Sequence, residues 1–140
     1  MNNKNLSQCL ATDNLRLLDA NLNRLREGIR VVEDIFRYIL NDKTTASKLK
    51  SLRHLSRLHI YNDLLNSRDI KNDVLKTSTS SEQKRENLTA ILIANFKRAQ
   101  ESARVLEEFT KLISIEDSEN FKYIRYELYD IEKNTSVCSA

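Results

Sequence analysis

The sequence predicts an all-α fold: four long helices, arranged as two duplicated αα-hairpins packed in a bundle with pseudo-two-fold symmetry. Three observations carry this expectation. The 140 residues include no proline and one glycine, Gly28, which is too little turn chemistry for a fold of many short strands. Apolar residues recur at three- and four-residue steps over long stretches. Residues 20–33, ANLNRLREGIRVVE, and 94–107, ANFKRAQESARVLE, share Ala-Asn-x-x-Arg-x-x-Glu-x-x-Arg-Val-x-Glu at an offset of 74 residues.

Taken in order, residues 1–12 read as a polar, flexible arm. A first helix starts near Asp13, a plausible N-cap, and runs to about Leu40. Its apolar positions are Leu18, Leu22, Leu25, Ile29, Val32, Phe36 and Ile39. The turn at 41–45, NDKTT, leads into a second helix over about 46–65, carrying Leu49, Leu52, Leu55 and Leu58. The polar stretch 66–81 reads as a loop. Thr79 and Glu82 have capping-box spacing for a third helix over about 81–114, and a fourth covers about 118–133. LKSLRH (49–54) and FKYIRY (121–126) repeat apolar-Lys-x-apolar-Arg-aromatic at an offset of 72, which extends the duplication to the second member of each hairpin. The expected unit is one domain over 13–133, with flexible tails at 1–12 and 134–140.

Net charge is +3, from 23 basic and 20 acidic residues, interleaved along the chain. That balance gives no concentrated basic face for nucleic acid but leaves room for a small anion gripped by a few arginines. No apolar run reaches the length of a membrane span, and residues 1–13 lack a signal-peptide core. Cys9 and Cys138 lie outside the periodic segments, as incidental thiols of a reducing cytoplasm.

The repeated residues are polar where core packing would not ask for polarity. At 100° per residue Asn21 falls on the apolar face with Leu25, Val32 and Ile39. Arg24, Glu27, Val31 and Asp34 follow along one edge, and the second copy repeats them as Asn95, Arg98, Glu101, Val105 and Glu108. About a pseudo-dyad the two stripes approach each other, with Arg53 and Arg125 entering symmetrically from the shorter helices. A structural reading stands beside the functional one. Glu33–Arg37 and Glu107–Lys111 have i,i+4 ion-pair spacing, and Asn21 and Asn95 suit a hydrogen bond to each other or to a helix end. His54 and His59, five apart, sit on different helical faces and form no helical metal pair; His54 heads the second repeat. Arg68, Asp69 and Asp73 read as ordinary loop residues. Tyr123, Tyr126 and Tyr129 read as packing against the first helix. Without a glycine-rich cradle, any phosphate must be held by guanidinium groups.

LLDANLNRLREGIRVVEDIFRYIL, LKSLRH, SRDIKNDV, ANFKRAQESARVLEEFTKL and IRYELYDIEK resemble, in that order, the all-helical, second type of hydroxymethylpyrimidine phosphate kinase. That domain is often fused to the N-terminus of thiamine phosphate synthases, and the resemblance covers about residues 15–133. It implies ATP-dependent phosphorylation of 4-amino-5-hydroxymethyl-2-methylpyrimidine phosphate to the diphosphate, with ATP and Mg²⁺ as cofactors, in thiamine biosynthesis. On that reading Arg24, Glu27, Arg98 and Glu101 form the catalytic set. Asn21, Arg53, His54, Arg68, Asn95 and Arg125 bind substrate or phosphate, and Asp69 and Asp73 hold Mg²⁺. Where the family usually carries Asp-Val-Gly-Thr, this chain has Asp73-Val74-Leu75-Lys76. The alternatives are a non-catalytic partner or regulatory module of a thiamine phosphate synthase, and a helical enzyme that uses arginines on an anion without metal or nucleotide. Association into a homo-oligomer stays open.

Overall fold

The computed structural model describes residues 3–135, with side chains from Asn14 onward apart from Ser81. All regular structure among them is helical: α1 (Asn3–Asp34), α2 (Lys43–Leu55), α3 (Tyr61–Ser67), α4 (Ser80–Gln83), α5 (Leu88–Thr110) and α6 (Ile115–Asn134). The four predicted helices are not reproduced as such, because the second and third are each divided and α2 has 13 residues.

The first helix is longer than its sequence signals implied. Residues 3–12, read as an arm, are wound into α1, and Asp13 is interior to it. The tail beyond Thr135, with Cys138, lies outside the described residues, as does the side chain of Cys9. At its far end α1 widens into one π-helical turn, Ile35–Ile39, closed by the Leu40 amide donating to the Ile35 carbonyl at 3.0 Å. Asn41 then takes φ 52°, a left-handed conformation that asparagine tolerates better than most side chains. Asp42 caps α2 by accepting from the Thr45 amide (3.0 Å) and hydroxyl (2.7 Å), and these bonds hold its carboxyl below its usual pKa.

Leu55 ends α2 where the periodicity predicted ten more residues of helix. Ser56 is fully buried and turns its hydroxyl back onto the Leu52 carbonyl at 2.8 Å, while Arg26 donates to the Ser56 carbonyl at 3.0 Å. The end of the helix is thus satisfied from α1, and the short α3 follows after five residues. Thr79 does receive the Glu82 amide (3.3 Å), as the capping box predicted, but the helix it opens closes at Gln83. Asn87 starts α5 instead, accepting from the Ala90 amide at 2.8 Å.

The core forms where α1 packs on α5 and each long helix packs on its hairpin partner, α2 or α6. Leu18, Leu25, Ile29, Val32, Leu49, Leu92, Phe96, Leu106, Phe121, Ile124 and Leu128 are buried there. Burying each large side chain is worth about 1.5–3 kcal/mol. Gly28 sits at the α1–α5 crossing: a Cβ there would lie 3.2 Å from the Asn95 carbonyl oxygen and 3.3 Å from the Ala99 Cβ. The same crossing brings Asn21 and Arg24 beside Arg98, Glu101, Ser102 and Val105. Gly28 meets Asn95 and Ala99 while the preceding turns of α1 meet residues further along α5, so the two helices run antiparallel and face their repeat motifs toward each other.

The tyrosines of α6 do not pack on α1. Tyr123, Tyr126 and Tyr129 are 51, 55 and 41% exposed, and Arg125 lies over two of the rings, 4.9 Å from Tyr126 and 5.6 Å from Tyr129. No described helix is long and apolar enough to cross a membrane.

Candidate functional site

The repeat motif contributes two kinds of side chain, separated by helical angle. The first kind faces inward. Glu33 and Glu107 are 1 and 3% exposed, and they do not form the predicted i,i+4 pairs with Arg37 and Lys111. Each instead reaches the hairpin partner. Glu33 accepts from Arg53 Nε (2.7 Å) and Nη2 (3.2 Å), and both Glu107 oxygens lie 3.0 Å from Arg125 Nη2. Glu33 and Glu107 are 74 positions apart, Arg53 and Arg125 72 apart, so both copies of the hairpin make the same buried ion pair. The bond to Glu33 raises the Arg53 pKa; for Arg125 burial acts downward, but bonds to Tyr129 and Glu107 raise it overall. Arg53 and Arg125, expected at phosphates, are clamps between α1 and α2 and between α5 and α6.

Asn21 and Asn95 also repeat a contact. Each side-chain amide donates to the carbonyl four residues earlier in its own helix, Leu17 at 3.0 Å and Ile91 at 2.8 Å, rather than to the other.

The second kind faces a cavity of about 580 Å³ at the crossing, lined by Asn21 and Arg24 of α1, by Arg98, Glu101, Ser102 and Val105 among others of α5, and by Leu75 and Glu82. The position-matched arginines of the repeat, Arg24 and Arg98, thus share one cavity. Neither enters any ion pair among the described residues, unlike Arg53, Arg68, Arg104 and Arg125. The cavity's other cation, Lys97, is held by Glu132 at 3.1 Å, and Gln100 donates to the same oxygen at 2.9 Å. Exposed guanidinium groups without an ion-pair partner have the donors to bond phosphate or carboxylate oxygens, and Glu82 and Glu101 line the same cavity.

Arg24 also lines a second cleft of about 350 Å³, with Arg16, Asp19, Asn23, Arg68, Asp69 and Asp73. Here Asp19, missed in the sequence, is decisive. It is buried on α1 and binds Arg68 in two-point fashion, at 2.8 and 2.9 Å, a bond that raises the Arg68 pKa. Arg16 donates to the Asp69 carbonyl at 3.0 Å. These bonds pin the start of loop 68–76 to α1, and the loop then delivers Leu75 to the crossing cavity. Asp69 receives the Asn72 amide (3.0 Å) and side chain (2.7 Å), which lower its pKa; Asp73 receives the Leu75 amide at 3.0 Å. Asn41 is the one non-glycine residue with positive φ among those described, so Leu75 holds its turn without glycine's conformational freedom.

Four predicted residues, Asn21, Arg24, Arg98 and Glu101, therefore meet in one cavity, and Arg68, Asp69 and Asp73 border the next. Glu27 is exposed and lines neither; Asn95 points its amide back into α5. His54 lies in a separate cleft with Arg57, His59, Glu116, Asp117 and Glu119, where the break after Leu55 brings both histidines to one opening. Desolvation in this cleft, with Arg53 and Lys50 nearby, lowers the His54 pKa. Among the described residues, no three His, Cys, Asp or Glu side chains gather into a metal cage.

Residues 16–134 match the ThiD2 family over most of the chain. The chain belongs to that family. Among its relatives, the thiamine-phosphate synthase of Thermosynechococcus vestitus is 42% identical over 120 residues, 84% of this chain but 34% of the relative. The thiamine-phosphate synthases of Nostoc punctiforme (38% over 121 residues; 85 and 34%) and Synechocystis sp. (38% over 128 residues; 91 and 37%) are similar in the same way. The chain spans about a third of the length of these relatives. No solved structure matches it. The matched segment contains every side chain of both clefts.

Proposed function

We propose that the chain is a phosphotransferase that moves the γ-phosphoryl group of ATP onto 4-amino-5-hydroxymethyl-2-methylpyrimidine phosphate, with the two hairpins related by a pseudo-two-fold axis through the α1–α5 crossing. The observation that carries this reading is the cavity in which Arg24 and Arg98 stand without acidic partners. The acceptor is a phosphate oxygen, already anionic, so the obstacle is repulsion between two phosphate-bearing substrates rather than removal of a proton. In the reaction this oxygen bonds to the γ-phosphorus, the bond from that phosphorus to the β–γ bridging oxygen breaks, and ADP leaves. Unpaired guanidinium groups on both sides of the transferred group would offset that repulsion and hold donor and acceptor in line.

Arg24 borders both clefts, which gives each substrate one cavity and a shared arginine at the junction. Asn21 and Glu101 offer polar atoms to the acceptor's amino-pyrimidine edge. Mg²⁺ would arrive on the nucleotide's phosphates, the common mode for this ion, and neutralise charge on them; Asp69 and Asp73 are the carboxylates beside that junction, although both already accept bonds from their own loop. An ADP-release assay with Mg²⁺-ATP, with and without the pyrimidine phosphate, tests the proposal. Release that depends on the pyrimidine phosphate is expected; folded protein that releases none refutes it.

A second reading, a non-catalytic module that docks on or regulates a thiamine-phosphate synthase, is favoured by the chain's match to only a third of those relatives. It predicts co-purification with such a synthase and no ATP turnover.

A further inference from the structure

The two hairpin corners, equivalent in the repeat, differ in how their charges are compensated. At the first corner, Arg37, Asn41, Lys43, Ser47 and Lys50 surround a cleft of about 350 Å³ that reaches down to Glu33 and Ala46. None of its three cations enters an ion pair among the described residues; Arg37 lies over the Tyr38 ring at 4.9 Å. The one carboxylate that lines the cleft, Glu33, is taken up by Arg53. The cleft therefore carries uncompensated positive charge.

At the second corner the same positions, offset by 72 or 74, read Lys111, Ile115, Glu119 and Lys122. Lys111 is bonded to Glu108 at 2.8 Å, and Glu116 and Asp117 occupy the first turn of α6. Ser114 caps that helix as Asp42 caps α2. The turn thus folds with Ile115 in place of Lys43 and Glu119 in place of Ser47, so the fold requires neither of those residues at the first corner, while Lys111 and Lys122 keep a base opposite Arg37 and Lys50. Three like charges converge there and repel one another, whereas at the second corner Lys111 is paired with Glu108.

We propose that this corner is a second anion site, distinct from the crossing cavity, which binds a small phosphate-bearing molecule. Arg37, Lys43 and Lys50 supply the charge, and the Ser47 hydroxyl and Asn41 side chain supply directional bonds. The volume suits inorganic pyrophosphate or a small phosphate ester, at the lower end of small-molecule sites. The site shares no lining residue with the crossing cavity and stands whether or not the chain is a kinase.

The test is amide chemical-shift mapping of the full chain titrated with sodium pyrophosphate and, separately, with glycerol 2-phosphate. Saturable shifts at residues 41–50 are expected, weakened at least 10-fold in Lys43→Ala/Lys50→Ala. They are expected to be unchanged in the second-corner control Lys111→Ala/Lys122→Ala. Whichever probe binds tighter identifies the free anion or the ester as the preferred chemistry. Absence of saturable shifts at 41–50 with both probes, or equal weakening by both double variants, overturns the proposal. Both doubles alter exposed side chains, so their folded spectra serve as the control for stability.

Discussion

Glu33 and Glu107 show how a repeated acid can be misread from spacing alone. Each stands four residues before a base, and each is buried and turned toward an arginine on the neighbouring helix. The signal that identifies them is the second repeat: both LKSLRH and FKYIRY carry an arginine at the matching place. Such a pair is costly to break on one side. Glu107→Ala leaves Arg125 buried and uncompensated and is expected to destabilise the fold by about 3–5 kcal/mol. Urea denaturation measures this directly, and an effect below about 1 kcal/mol would mean that the pair is loose in solution. Asp19 went unnoticed for a different reason: its partner, Arg68, lies 49 residues away in a loop with no periodicity.

Among the elements, helix existence was legible and helix length was not. The apolar steps found α1, α2, α5 and α6, because burial of one face is what those steps encode. The break at Ser56 has no proline or glycine to announce it. It depends on the Ser56 hydroxyl and on Arg26 from another helix, a tertiary contact that local pattern does not contain. Gly28 was legible only as the chain's single glycine; its reason is the approach of α5. Gly28→Ala gains about 1 kcal/mol of helix propensity but forces a methyl against the α5 backbone, an overpacking that costs about 1–3 kcal/mol. The expected net result is a loss of about 1 kcal/mol, or a fall of about 3 °C in the thermal midpoint. A higher midpoint would show that the crossing has room to spare.

At the scale of the molecule, antiparallel packing of α1 on α5 converts a sequence repeat into a cavity whose walls carry Arg24 and Arg98. The repeated arginines were readable as a set, because their positions match; their division into buried clamps and free cations was not. That division follows from helical angle and from which acids lie within reach, and it moves Arg53 and Arg125 out of the site. The chain's kinship with thiamine-phosphate synthases sets the chemistry these free cations are proposed to serve. The most direct measurement is turnover of Mg²⁺-ATP with the pyrimidine phosphate by Arg24→Ala and Arg98→Ala, each with its thermal midpoint recorded beside wild type. Both side chains are exposed and unpaired, so the midpoints are expected to stay unchanged while turnover falls at least about 100-fold, the scale of one lost transition-state donor. Wild-type turnover in either variant would contradict the proposed role of the crossing cavity and place the chemistry elsewhere in the bundle.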